Sequence, residues 1–317
     1  MGEEIQVVEG DTGWRKAIPE GRDRLQSLVL VWVVGVLLVL ENADVVRQVY
    51  FLPHEHNVRG DILPAGISLA FAVLVLCLRA ATVSGAVLGG MTSFLLITGT
   101  ASSQYTIVRS GLTPLALLFI LTFLATRAGR RVKAQAGLAE KGHGRSAAQV
   151  IANLSVAGLA VSTLGFVLVT GGGVCCGGGY YSVWVWPAIM MMCLAAMVEA
   201  TADTVSSEIG QAFGGRPIML LTLQRMDPGA DGAVTLVGSL AGIAGGAFVA
   251  AVGMWALRLT PFQAAIALLA GICGLFFDSF LGATVERRGW IGNDLVNFTS
   301  TVFAAAVAVV VYRFFTF

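Results

Sequence analysis

The stretch Val183-Trp-Val-Trp-Pro-Ala-Ile-Met-Met-Met-Cys-Leu-Ala-Ala-Met-Val198 is apolar throughout. It runs without a break into Glu199-Ala-Thr-Ala-Asp203-Thr-Val-Ser-Ser207-Glu208-Ile-Gly210. An ionised group set against hydrocarbon costs about 2.5–3.5 kcal/mol on insertion scales, so three carboxylates within ten residues need cations, water or a ligand to sustain them. If one helix carries the whole stretch, Glu199, Asp203 and Ser207 fall at i, i+4 and i+8, with Thr204 and Glu208 as a neighbouring row. The sequence therefore predicts a membrane helix with a polar stripe at one end. Capping of a following helix by Asp203 or Ser207 is the plainer reading, but it does not explain why so much charge adjoins a spanning segment.

Composition agrees with a membrane setting. Of 317 residues 56% are hydrophobic and 12% charged, and the mean hydropathy is +0.80, far more apolar than a soluble domain of this length. A spanning helix needs roughly 20 mostly apolar residues. Such runs lie near 25–43, 62–79, 82–99, 112–126, 148–170, 183–201, 234–257, 262–282 and 296–316. The expectation is an all-α polytopic integral membrane protein of about nine transmembrane helices. A polar segment 1–24 precedes a single helical domain over 25–317, and no cleavable signal peptide is recognisable. With the N-terminus placed in the cytoplasm, 15 of the 20 Lys and Arg residues fall on the inside, as the positive-inside rule requires. That topology gathers the connections 127–147, 202–233 and 283–295 on the cytoplasmic face of the inner, cytoplasmic membrane.

Other features carry less. Cys77, Cys193 and Cys273 read as small buried hydrophobes, and adjacent Cys175 and Cys176 lack zinc spacing with the three histidines. A net charge of +1 says nothing about nucleic acid, and no basic stretch interleaved with aromatics suggests it, so no nucleic-acid partner is expected. Glycines at Gly85/Gly89 and Gly238/Gly242/Gly246 have the small-xxx-small spacing of close helix packing.

Three polar clusters carry the chemistry. The acidic stripe of Glu199, Asp203, Thr204, Ser207 and Glu208 offers hard oxygen donors that suit Mg²⁺, which takes one or two carboxylates and fills its shell with waters and substrate phosphates. Downstream, Gly214-Gly-Arg216-Pro217 and Asp227-Pro228-Gly229-Ala230-Asp231-Gly232 are turns whose backbone N–H groups suit an anion, although an ordinary tight turn with Asp231 as a cap explains the second equally well. In the next cluster Asp278, Gly282 and Glu286 repeat at i, i+4, i+8 beside Ser279, followed by Asn293 and Asn297, which bind a nucleotide or cap the last helix. The basic connection holds Arg127, Arg130, Arg131, Lys133, Lys141, His143 and Arg145 and leads into Gln149 and Asn153. Positive-inside loops look like this, yet guanidinium groups facing acidic helices are also what a triphosphate with Mg²⁺ requires.

Four strings in order, Arg145-Ser-Ala-Ala-Gln149-Val-Ile-Ala-Asn153, Ala202-Asp203-Thr204-Val-Ser-Ser207-Glu208-Ile-Gly210, Pro228-Gly-Ala-Asp231-Gly232 and Asp278-Ser279-Phe-Leu-Gly282-Ala-Thr284, resemble the signature of the membrane family that contains the phytyl-phosphate kinases of tocopherol synthesis and the transmembrane protein 19 group. The resemblance covers residues 62–317. It implies transfer of a phosphoryl group from CTP, or another NTP, to a polyprenyl or phytyl-type monophosphate in the bilayer. Under it Asp203 and Glu208, with Asp231 or Asp278, are the catalytic Mg²⁺ ligands. Lys133, Arg145 and Arg216 neutralise phosphates, and Gln149, Asn153, Thr204, Ser207, Gly229, Gly232, Ser279, Gly282, Asn293 and Asn297 complete the nucleotide and phosphate site. The chain departs from the family pattern, as read here, at Ala230, Thr235 and Glu286, where Thr, Ser and Gln are expected. A proton- or ion-coupled transporter built on Asp278 and the Glu199/Asp203 pair is the competing class, and a noncatalytic lipid-binding member of the family is a third.

Overall fold

The computed structural model describes residues 18–50, 58–101, 107–138, 144–171 and 180–316. Lys141, His143, Cys175, Cys176 and most of segment 1–24 lie outside them. In chain order the helices are α1 (Glu20–Tyr50), α2 (Val58–Cys77), α3 (Val83–Thr100), α4 (Leu112–Arg127), α5 (Arg130–Gln135), α6 (Ala147–Ala160), α7 (Thr163–Thr170) and α8 (Tyr180–Phe213). A minimal hairpin of β1 (Ile218–Met219) and β2 (Ala233–Val234) follows, then α9 (Leu236–Ala256), α10 (Pro261–Leu281) and α11 (Asn293–Thr316). A π-helical turn, Gly282–Glu286, closes α10.

Each of the nine apolar runs lies in helix, but the expected number of crossings is larger than the number of long helices. Among the described residues six are long and apolar enough to cross a membrane, and a seventh arises if α6 and α7, bent by 67°, count as one span. The apolar parts of α2 and α4, Ile62–Cys77 and Leu112–Arg127, are shorter. Two boundaries also differ from the sequence expectation. The acidic stripe belongs to α8 as far as Phe213, so the connection expected at 202–233 starts twelve residues later. Asp278, Gly282 and Glu286 do not continue one α-helical face, because the last two fall in the π turn, where Arg287 N donates to Gly282 O at 3.3 Å.

Local chemistry accounts for where helices begin. Ser146 and Gln149 form a capping box at α6, and Thr260 and Gln263 form another at α10 with Pro261 in its first turn. Thr235 Oγ1 accepts from Gly238 N at 3.0 Å and caps α9. The expected cap Asp231 is not used there.

The central helix is α8, which packs against α4, α6, α9, α10 and α11. Met190, Met191, Leu194 and Met197 are fully buried in its middle. Close approach by α9 requires glycine: a Cβ at Gly242 would collide with the Ala202 carbonyl oxygen, and one at Gly246 would lie 3.1 Å from Val198. The three polar connections meet at one end of the bundle. There Lys133 pairs with Glu208, Arg287 reaches Met219, and the start of α1 is tied to the turn before α11 through Arg22 to Gly289 O (3.1 Å) and Gln26 to Trp290 O (2.8 Å).

Replacing Gly242 by Ala forces α9 away from the α8 backbone. We expect a loss of about 1–3 kcal/mol, as for other overpacked interfaces, read as a lower thermal unfolding temperature in detergent. Unchanged stability would mean that the two helices are not packed this closely.

Candidate functional site

Where the connections converge, α2, α3, α4, α6, α8, α10, α11 and the hairpin enclose a cavity of about 490 Å³. From α8 come Asp203, Thr204, Ser207 and Glu208; from α10 and α11 come Asp278, Ser279, Asn293 and Asn297; and the turn before β2 supplies Gly229, Asp231 and Gly232. The expected basic residues there are Lys133 and Arg145, with Gln149 and Asn153 on α6. Fifteen of the seventeen residues expected at the site therefore line one cavity. The other two do not. Arg216 is exposed in the turn after α8 and does not border the cavity, and Gly282 is buried against the backbone of Gly232.

Backbone geometry sets these positions. Arg145 is clamped to the turn between α2 and α3, its N donating to Ala80 O at 2.9 Å and its O accepting from Thr82 N at 3.0 Å. Gly144 precedes it at φ 93°, where a Cβ would strike the Ala80 carbonyl, so only glycine lets Arg145 sit this close. Likewise Gly232, at φ 70°, lies directly on the backbone of Ala283, which docks the Asp231 turn onto the end of α10.

Electrostatics divides the acidic residues into two groups. Asp203 faces Arg145, and Asp278 stands within the field of Asp203, Glu199 and Glu286. The Asn297 amide lies 3.2 Å from Asp278 Oδ2 and donates to it when its nitrogen is assigned to that side. Glu208 is engaged otherwise: Lys133 Nζ lies 2.5 Å from its Oε2 and also donates to Thr126 O at 2.9 Å. Lys133 is only 3% exposed. The residue expected to neutralise a phosphate and the residue expected to hold metal thus hold each other, bracing α5 against α8. Among the described residues no three acidic, histidine or cysteine side chains form a ready-made metal cage.

Glu199, the first acid of the stripe, lies behind the cavity and is 1% exposed. Ser300 Oγ is 2.7 Å from its Oε1 and Thr301 Oγ1 donates to its Oε2 at 2.8 Å; Ser300 Oγ also lies 3.2 Å from Asp278 Oδ2. Ser300 Oγ therefore stands between Glu199 and the cavity-lining Asp278, with a single proton to donate.

The sequence profile for the integral membrane protein DUF92 matches residues 66–305. The chain belongs to the DUF92 integral membrane family. Protein VTE6, chloroplastic, of Arabidopsis thaliana is 29% identical over 208 residues, covering 65% of this chain and 59% of VTE6. An uncharacterized membrane protein of Synechocystis sp. is 30% identical over 194 residues, 60% of this chain and 69% of that one. Another, of Methanocaldococcus jannaschii, is 32% identical over 120 residues, 38% of this chain and 50% of its own length. No solved structure matches the chain.

The DUF92 match ends at residue 305 and so takes in Ser300 and Thr301, which the sequence reading passed over because a hydroxyl inside an apolar run looks like a back-bonded helix residue. Arg79, one of the 15 inside cations by the positive-inside count, also lines the cavity, together with Arg127 and Arg130.

The Lys133–Glu208 pair is testable by a double-mutant cycle. Lys133→Met should destabilise toward the lower end of the ~3–5 kcal/mol typical of breaking a buried pair, because the Glu208 side chain keeps 16% exposure. Adding Glu208→Gln should restore most of that loss in thermal unfolding. Strictly additive losses would show that the two charges do not interact.

Proposed function

We propose that this DUF92 protein is an integral membrane kinase that transfers a phosphoryl group from CTP, or another NTP, to a polyprenyl or phytyl-type monophosphate and releases the lipid diphosphate. The observation that carries the reading is the composition of one cavity: carboxylates Asp203, Asp231 and Asp278, the guanidinium of Arg145, and an apolar wall that includes Phe71, Leu115 and Phe119. Phosphoryl transfer asks little covalent chemistry of a protein; it asks for positioning and for charge placed against phosphate. The order of motifs shared with phytyl-phosphate kinases supports the same reaction.

In this reading Arg145 orients the nucleotide phosphates, helped by backbone N–H groups of Gly229, Asp231 and Gly232 in the turn that borders the cavity. An oxygen of the acceptor monophosphate attacks the γ-phosphorus; the new P–O bond forms as the bond to the β–γ bridging oxygen breaks, and the nucleoside diphosphate leaves. A phosphate monoester with a second pKa near ~6 is already an anionic nucleophile at pH 7, so no general base is required. Mg²⁺ takes one or two carboxylates and completes its shell with waters and phosphate oxygens, so two of Asp203, Asp278 and Asp231, not all three together, would hold it, and when bound it would supply charge neutralisation to the phosphates. Glu208 is assigned a bracing role, given its ion pair. Ala230 beside Asp231 leaves the turn without a hydroxyl, and its own N–H is taken by Asp227 O at 3.2 Å, while Gly229 holds the turn at φ 84°.

Asp203→Asn and Asp278→Asn should each lower transfer of label from γ-labelled CTP to phytyl or geranylgeranyl phosphate by at least about 100-fold, the scale for loss of one electrostatic group. Wild-type turnover by Asp203→Asn would overturn the assignment. With the N-terminus and cavity in the cytoplasm, added nucleotide should be consumed by inside-out vesicles and not by right-side-out ones; the reverse would invert the topology. Solute or ion flux into proteoliposomes without nucleotide turnover would replace the kinase by a transporter.

A further inference from the structure

A second feature of the cavity lies away from the acidic helices. On α4, Arg127, Phe123, Phe119 and Leu115 recur every four residues; on α2 Phe71 and Val75 are one turn apart, and Arg79 lies just past the end of that helix, in a turn at φ 52°; all of them border the cavity. At 1.5 Å per residue the α4 stripe descends about 18 Å below its arginine, more than half of a ~30 Å hydrocarbon core. Each stripe has a cation at the polar end and apolar or aromatic surface beneath it.

The two stripes touch. Phe71 and Phe119 meet edge to face with centroids 5.7 Å apart, and Phe119 stacks on Phe123 at 5.6 Å. Arg127 sits 3.6 Å from the Phe123 ring centre, and its Nη2 is 3.5 Å from Leu78 O at the end of α2, spanning the top of the gap. Elsewhere α2 packs on α3 while α4 packs on α8 and α9, so these side chains join the two helices. Leu74, Ile120 and Leu124 on the same helices are exposed, which sets this side of the cavity next to lipid.

Volume favours this side. About 490 Å³ suits one drug-sized ligand, so beside a bound nucleoside triphosphate the hydrocarbon of a prenyl phosphate needs an apolar side of the cavity to follow. Toward α8 and α10 it would meet Asp203 and Asp278. Toward α2 and α4 it meets hydrocarbon and rings.

We propose that the α2–α4 cleft is the binding site for the isoprenoid chain, with the lipid phosphate between Arg79 and Arg127, the chain along Phe123, Phe119 and Leu115, and the Phe71–Phe119 contact as its lateral entry from the bilayer. The identity of the ligand rests on the kinase reading, and the experiment separates the two. The full chain is placed in uncharged phosphatidylcholine nanodiscs with geranylgeranyl monophosphate carrying a diazirine on its last isoprene unit, then illuminated and mapped by mass spectrometry. Adducts should fall on α2 and α4 and be suppressed by unlabelled phytyl phosphate. Phe119→Ala should weaken that labelling on the order of tenfold, the effect of removing one large apolar contact, without loss of thermal stability beyond that of an exposed-face control, Ile120→Ala. Phe119→Trp, which keeps the wall and narrows it, should move the preference to shorter chains. Adducts on other faces, or equal competition by dioleoyl phosphatidic acid, would overturn the cleft. Adducts on α2 and α4 without any nucleotide turnover would retire the kinase and keep the cleft; turnover with adducts elsewhere would do the opposite.

Discussion

Burial of carboxylates within an apolar bundle is the constraint around which this protein is arranged. Glu199 is placed at the centre of α8 with hydroxyls of Ser300 and Thr301 on its oxygens and Asp278 beyond Ser300. A charge or a carboxyl in that position is tolerable only if every oxygen has a donor and lipid is kept away. Both conditions require α8 to be surrounded. Small residues meet that requirement: Gly242 and Gly246 of α9 and Gly271 and Gly274 of α10 bring backbones onto the polar part of α8, and a Cβ at Gly274 would crowd the Glu199 side chain.

The polar end of the bundle follows from the same logic. Carboxylates on α8 and α10 would repel one another across a dry gap, and the basic connection counters them with Arg145 facing Asp203 and Lys133 bound to Glu208. The hairpin is held by contacts between main chains, Gly232 upon Ala283, rather than by an apolar core of its own. What results is a cavity with fixed charge of both signs on one side and aromatic surface on the other.

Much of the site was legible before any coordinates. Asp203, Thr204, Ser207 and Glu208 could be placed on one helix because a carboxylate row at four-residue spacing has the period of a helix, and α8 does continue through them. Asp278 stood out because an acid inside an apolar run is costly. Partners far apart in the chain are not legible: Ser300 and Thr301 have the composition of any back-bonded helix hydroxyl, and Lys133, expected to neutralise a phosphate, carries no mark of its pairing with Glu208. Gly282 and Glu286 were misplaced for a different reason, since a π turn adds one residue to the repeat and leaves no mark in composition.

By itself the sequence determined that this chain belongs in a membrane, where its helices lie and which of their ends are polar, since hydropathy and helical period are local properties of the chain. Only the tertiary structure decided which charges meet. It paired Lys133 with Glu208, set Glu199 behind Asp278, left Arg216 outside and lined up Arg79 with Arg127, because such choices depend on how closely glycine-faced helices approach and on the angle at which loops cross the bundle end. Neither is written at any single position.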